Sequence, residues 1–184
     1  MDHPLSSQEL QTLASYERIA VERAKRKSDP EYWRSKFEYF RNLVPYGFIV
    51  DIGCGTGKDA LLFSTHASYH YVGVDLSPAM LTLTKQYAPQ SMFMRMSMYQ
   101  LGFQSSSFDG FWAAASLLHI PKRNVAAILQ EIYRVAKPGA VGFFALREGD
   151  TEKMVTTDLQ GDNRFYAFYR QKEFCRILEK NGFF

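Results

Sequence analysis

"IVDIGCGTGKDA", Ile49 to Ala60, decides how this chain folds. Phe48–Ile52 is a continuous apolar run, the look of a strand buried on both faces. It breaks into glycines and then into a helix start, an arrangement whose backbone N–H groups hold nucleotides. The spacing narrows the ligand. A dinucleotide turn reads G-x-G-x-x-G. Here Gly53, Gly55 and Gly57 stand in the frame D-x-G-x-G-x-G, with the third glycine one residue early. Asp51, at the end of the strand, would repel a pyrophosphate and suits a ligand with a cationic or neutral amino-acid portion. Asp75 closes the next strand about 20 residues on, where a carboxylate can accept from both hydroxyls of a ribose. Together these features describe a nucleoside bearing an amino acid. The plainer alternatives are a tight turn at the glycines and a helix-leading acid at Asp75.

Strands and helices alternate outward from this turn. "KDALLFSTH" (58–66) reads as a helix and "YHYVGVDL" (69–76) as a β-branched, aromatic strand. Ser77 and Pro78 fit the N-cap and first turn of a helix running to about Tyr87. "SMFMRM" (91–96) is a weaker strand and "DGFWAAAS" (109–116) a buried one. Val125, Ile128, Leu129, Ile132, Val135 and Ala136 make an amphipathic helix that stops at "KPG", with Lys137 at the negative end of its dipole. "AVGFFAL" (140–146) is a fifth strand, 147–163 a polar stretch, and 171–180 a last helix. The first 44 residues read as helical. Ser6 and Glu9 form a capping box, Leu10, Leu13, Ala14, Ala20, Val21 and Ala24 an apolar stripe, and Asp29 with Pro30 a second helix start. The expectation is an α/β fold, doubly wound, with a mostly parallel sheet and an N-terminal helical cap.

Composition excludes several classes. A chain of 184 residues, 46% of them hydrophobic, has enough apolar side chains for one domain's core. A net charge of +3 with acids and bases interleaved argues against a nucleic-acid partner. Two cysteines, Cys54 and Cys175, make neither a disulfide framework nor a metal-ligand pattern, and fit a reducing compartment. No signal peptide and no membrane span are read, so a soluble, cytoplasmic protein is expected.

"VDIGCGTG", "VGVDLSPAML", "SFDGFWAAASLLHIP" and "EIYRVAKPGA" resemble, in order, the motifs of class I S-adenosylmethionine-dependent methyltransferases. The resemblance runs from about Ser15 to Gly182 and implies a Rossmann-like fold, with residues 1–44 as a cap and 45–184 as the cofactor-binding part of one structural unit. It implies that Gly53 and Gly55 approach the methionine part of S-adenosylmethionine, Asp51 binds its amino group and Asp75 its ribose. Leu76 and Met80 resemble adenine-pocket walls, though Met80 also suits the core. Ser97 and Met98 stand at the adenine edge, where most relatives have aspartate in place of Ser97. Ala115, Ser116 and Leu118 would line the cleft around the sulfonium. Tyr16 resembles the cap-helix tyrosine that nears the cofactor carboxylate.

Methyl transfer from a sulfonium needs in-line positioning and exclusion of water, and a base only where the acceptor arrives protonated. His119, just past the fourth strand, is the candidate base, with capping of the next helix or a bond to a backbone carbonyl as its alternative. No N-P-P-Y-like turn and no Pro-Cys nucleophile follow that strand, which points to a small-molecule acceptor. The segment "RFYAFYRQKEF" (164–174) resembles one that closes over substrate in relatives, and Tyr166, Tyr169 and Arg170 could hold a flat or anionic acceptor or pack the last helix. Relatives continue into a strand hairpin after that helix, whereas this sequence stops at "NGFF". The "AVGFFAL" edge is therefore expected to be covered by the aromatic segment, by chain swapping or by a homodimer partner. A catalytically silent cofactor-binding module or partner subunit is the alternative function.

Overall fold

The computed structural model describes residues 4–26 and 32–184, so the helix start expected at Asp29 and Pro30 lies outside the described residues. Five strands form one parallel sheet in the order β3-β2-β1-β4-β5. They are β1 (Gly47–Ile52), β2 (Tyr69–Asp75), β3 (Met92–Arg95), β4 (Phe108–Ala114) and β5 (Ala136–Ala145). The order reverses between β1 and β4. At such a switch point the loops leaving the carboxyl ends diverge and open a crevice.

The apolar run of β1 is continuous because both faces of the sheet are covered. Val50 and Ile52 join Val72, Val74 and Phe111 in a core that takes in Ile128, Leu129 and Ile132 of helix α5 (Val125–Val135). Ile49 lies in the other core, with Phe37 and Phe40 of α2 (Arg34–Leu43), Phe63 of α3 (Ala60–Ser64) and Trp112. Each such side chain fully removed from water contributes about 1.5–3 kcal/mol. The two cores fix the sheet, and the sheet fixes the strand ends that carry the site.

Three expected boundaries shift, each for a local reason. Helix α5 stops at Val135, and Ala136 already pairs with Phe108. The next pair is Gly110 with Val141, so Lys137 to Ala140 bulge out of the ladder, where a proline costs no hydrogen bond. Lys137 therefore serves Asp109, at 2.7 Å, rather than the end of a helix. The helix after Ser77 is α4 (Pro78–Thr82) followed by a 3₁₀ turn, Thr84–Gln86. The Thr84 hydroxyl donates to the Leu81 carbonyl at 2.7 Å, competing with the helical ladder. Ser77 caps α4 as expected, accepting from Met80 N at 3.1 Å.

The polar stretch and the start of the aromatic patch fold differently from the reading. β6 (Glu152–Thr156) and β7 (Asn163–Ala167) form an antiparallel hairpin, a separate sheet, ahead of the last helix α6 (Gln171–Lys180). β7 escapes a period-two reading because Arg164, Phe165, Tyr166 and Ala167 are all buried. The aromatic segment does not pair along β5. It packs against α1 (Ser7–Lys25) instead, and among the described residues no strand pairs with the outer edge of β5.

α1 begins with the expected capping box: Ser6 N donates to Glu9 Oε2 at 2.8 Å and Glu9 N to Ser6 Oγ at 3.3 Å. Of the expected apolar stripe, only Ala20 is fully buried. Leu10 and Val21 are 53% and 56% exposed, while Glu9, Thr12, Ser15, Ile19 and Ala20 are buried. Thr12 and Ser15 face the backbone of β7. Phe165 N donates to Thr12 Oγ1 at 2.9 Å and Asn163 N to Ser15 Oγ at 2.9 Å. Hydroxyls on a helix thus satisfy an edge strand that has no strand neighbour on that side. Among the described residues, no helix is long and apolar enough to cross a membrane.

Candidate functional site

The glycine turn is knit to the end of β2. Gly53 N and Cys54 N both donate to the Val74 carbonyl, at 2.8 and 3.0 Å, and Gly55 N donates to Asp75 Oδ2 at 2.8 Å. Gly53 and Gly55 have φ of +77° and +55°, a region costly for residues with a Cβ. At Gly53 a Cβ would stand 2.4 Å from that of Ser116, so glycine also lets the β1 and β4 ends approach. A Cβ at Gly55 would meet nothing within 4 Å, because the turn borders a cavity of about 720 Å³.

The ends of four parallel strands wall this cavity. The end of β1 and its turn bring Asp51, Gly53 and Gly55; the end of β2 and the residues after it bring Asp75, Leu76 and Ser77, then Met80. After β3 come Ser97 and Met98, and after β4 Ala115 and Ser116. Tyr16 of α1 and His119 close one side. Asp51 is 2% exposed and accepts from the Tyr71 hydroxyl at 2.7 Å. Burial, and then the negative charge of Asp59, hold its carboxyl well above the usual carboxylate range, with the Tyr71 hydrogen bond opposing them. Asp59 accepts from Trp112 Nε1 at 3.1 Å, and burial raises its carboxyl too. No Lys or Arg among the described residues forms an ion pair with either acid. Two desolvated carboxyls facing one cavity suit a cationic ligand group.

Asp75 accepts from Gly55 N on one oxygen and from Ser77 N, at 2.9 Å, on the other. Burial raises its carboxyl, and those two N–H groups oppose the rise. Each oxygen retains acceptor capacity for a hydroxyl. Ser116 Oγ is buried without a hydrogen-bond partner. Ser97 Oγ accepts from Tyr99 N at 3.3 Å. Burial pushes the Cys54 thiol well up, so it is a small wall residue without nucleophilic character. This donor set fits S-adenosylmethionine: acids for its ammonium, Asp75 for its ribose, apolar Leu76 and Met80 for its base.

A second cavity of about 280 Å³ adjoins the first and shares Tyr16, Ala115 and His119 with it. Leu118 and Tyr166 line only this one. Its wall is held by a chain of side-chain bonds. His119 Nδ1 donates to the Phe165 carbonyl at 2.7 Å, so Nε2 of the neutral ring accepts from the Tyr16 hydroxyl, also at 2.7 Å. Tyr16 in turn accepts from Arg164 Nη1 at 2.7 Å, and Arg164 makes a bidentate, buried pair with Asp162 at 2.6 and 2.8 Å. Burial drives the His119 pKa down to about 3, the Phe165 carbonyl opposing and the Arg164 charge adding.

Of the two readings of His119, this geometry favours the bond to a backbone carbonyl over the base. At neutral pH the His119 ring is uncharged, and its one lone pair already accepts from Tyr16. Its position ties α1, the turn after β4 and the hairpin together. Two other expected substrate residues lie away from both cavities. Arg170 pairs with Asp150 on the surface at 2.5 Å. Tyr169 packs on Phe174, with Lys122 Nζ 4.7 Å from its ring centroid. Sequence reasoning passed over Asp59, Lys58, Arg23 and Arg147, which do line the cavities. Lys58 Nζ donates to the carbonyls of Arg23 and Arg26, capping the carboxyl end of α1 at 3.2 and 2.5 Å. Only Lys58 and Asp59 gave a signal, as charged residues directly after the third glycine.

A profile described as a methyltransferase domain matches residues 49–139. The O-methyltransferase rstn1 of Aspergillus nomiae is 38% identical over 98 residues, 50% of this chain and 43% of that protein. Demethylmenaquinone methyltransferase of Symbiobacterium thermophilum is 32% identical over 120 residues, 59% of this chain and 46% of that protein. The chain thus spans less than half the length of these two curated relatives. The crystal structure of Burkholderia thailandensis 1,6-didemethyltoxoflavin-N1-methyltransferase, with bound 1,6-didemethyltoxoflavin and S-adenosylhomocysteine, superimposes with a TM-score of 0.75 at 17% identity. It covers 98% of this chain and 81% of that one, a likeness of fold. The matched segment holds the strands and turns that wall the larger cavity, and over that segment the chain is a methyltransferase domain of the class I S-adenosylmethionine-dependent kind.

Proposed function

We propose that this chain binds S-adenosylmethionine in the larger cavity and transfers its methyl group in line to a small-molecule acceptor in the smaller one. The observation that carries the reading is the meeting of the two cavities at Ala115 and His119, past the carboxyl end of β4. Bound there, S-adenosylmethionine supplies an electrophilic methyl group on a cationic sulfonium. Asp51, with Asp59 beside it, holds the ammonium. Asp75 orients the ribose while Gly55 N fixes its carboxylate. Leu76 and Met80 flank the adenine, and Ser97 and Met98 face its edge. Tyr16 keeps α1 closed over the cofactor, and residues 1–44 act as the cap.

On the acceptor side, Tyr166 contacts the acceptor and Leu118 supplies an apolar wall, while Ser116 meets the acceptor's reacting end from the larger cavity. His119 is a positioning residue: it holds the hairpin wall against α1, so that water is excluded from the transfer path. Orientation of the acceptor lone pair carries most of the rate. The interleaved surface charge favours a small molecule over a nucleic acid, and two free cysteines favour a reducing cytoplasm. The unpaired outer edge of β5 favours pairing with a second copy, which light scattering would find as a dimer. The functional test is transfer of labelled methyl from S-adenosylmethionine to a panel of phenols, quinols and nitrogen heterocycles. Turnover of one or more members is expected. Cofactor binding with no turnover across the panel would favour the silent binding module.

A further inference from the structure

We propose that the acceptor is a small aromatic anion whose carboxylate is held by Arg147, an inference that rests on the methyl-transfer reading of the adjoining cavities. The smaller cavity is lined by Arg23, Arg26, Arg147 and Arg164 against one acid, Asp158. Two of the four are already engaged: Arg26 pairs with Asp158 at 2.5 Å, and Arg164 with Asp162. Among the described residues, Arg23 and Arg147 form no ion pair. Each guanidinium instead lies by a ring, Arg147 at 4.9 Å from the Tyr166 centroid and Arg23 at 5.7 Å from that of Tyr16. Stacking holds the plane of a guanidinium and leaves its edge N–H groups to fork onto a carboxylate.

The rest of the wall suits a flat ring. Tyr166 is 3% exposed and stands edge-on to His119, with centroids 4.9 Å apart. Leu118 and Ala115 add apolar surface without bulk. A volume of about 280 Å³ is ample for a single-ring acid. Arg23 lines both cavities, so its carboxylate partner can be the cofactor's own amino-acid end. Arg147 lines only the smaller one, so its partner is the acceptor.

Calorimetry separates the two sources. S-adenosylhomocysteine is titrated first into wild type, Arg23→Gln and Arg147→Gln. Each protein, saturated with it, is then titrated with 2-, 3- and 4-hydroxybenzoate and with the matching hydroxybenzamides. At least one acid is expected to bind one to one, with its amide at least about 10-fold weaker, and Arg147→Gln is expected to weaken the acid about 10- to 100-fold while leaving S-adenosylhomocysteine unchanged. Weakening of S-adenosylhomocysteine by Arg23→Gln alone assigns that arginine to the cofactor and supports the division. Absence of binding by all three acids, equal binding of acid and amide, or an acid affinity untouched by Arg147→Gln would overturn the proposal. If wild type does not bind S-adenosylhomocysteine, the cofactor reading fails separately, and the acid–amide comparison on the protein alone still decides whether this cavity takes anions.

Discussion

The two cavities meet at Ala115, yet they are built in opposite ways. The larger is made chiefly of backbone: successive strand ends, a turn whose N–H groups bond the Val74 carbonyl and the Asp75 carboxylate, and a glycine, Gly53, where a Cβ would not fit. The smaller is made of side chains brought from far along the sequence. Tyr16 and His119 are 103 residues apart, Tyr16 and Arg164 148, and Thr12 and Phe165 153. The cofactor side should therefore respond to mutation through lost ligand contacts with the fold retained. The acceptor side should respond through loosening of the α1–hairpin junction, because its wall is itself a hydrogen-bond network.

The largest expected effect falls on the cofactor side. Asp75→Ala removes both ribose acceptors and frees Gly55 N and Ser77 N, so the affinity for S-adenosylhomocysteine should fall at least about 100-fold by calorimetry. Asp51→Ala should cost about 10- to 30-fold in the same titration, and leave the far-ultraviolet circular dichroism unchanged. On the acceptor side, Tyr16→Phe deletes the donor to His119 Nε2 and an acceptor for Arg164. It should lower stability by about 1–3 kcal/mol in urea unfolding, with a smaller effect on cofactor affinity than Asp51→Ala. Equal losses of cofactor affinity in all three variants would erase the contrast between the two walls.

A further expected effect, on stability alone, is a pH slope. His119 is neutral in the folded chain, with a pKa of about 3 against 6.5 unperturbed, so the unfolded chain takes up a proton that the folded one refuses. Its contribution is fully present above about pH 6.5, and as pH falls toward 3 stability should drop by up to about 1.4 kcal/mol per unit. A His119→Gln variant, compared with wild type by unfolding at several pH values, should be flatter over that window. Parallel slopes would mean that the ring titrates freely.

The same contrast explains what the sequence disclosed. The sheet and the glycine turn were legible because each depends on neighbours: the β1 run, the D-x-G-x-G-x-G spacing, the Ser77 cap and the α5 stripe. The hairpin was not, since both faces of β7 are buried and no alternation survives in "NRFYA". The buried face of α1 was hidden for a related reason. Thr12 and Ser15 look like surface residues until an edge strand needs their hydroxyls. For His119 the sequence leaves a base and a bond to a backbone carbonyl both open, because the partners that decide between them, Tyr16 and Phe165, come from distant segments.

The most direct test of the cofactor cavity is a paired titration of the wild-type chain with S-adenosylhomocysteine and with NAD. The strand-end acids and the early third glycine predict one-to-one binding of S-adenosylhomocysteine and much weaker binding of the dinucleotide. Tighter binding of NAD, or no binding of S-adenosylhomocysteine, would contradict the assignment of Asp51 and Asp75 to an amino acid and a ribose.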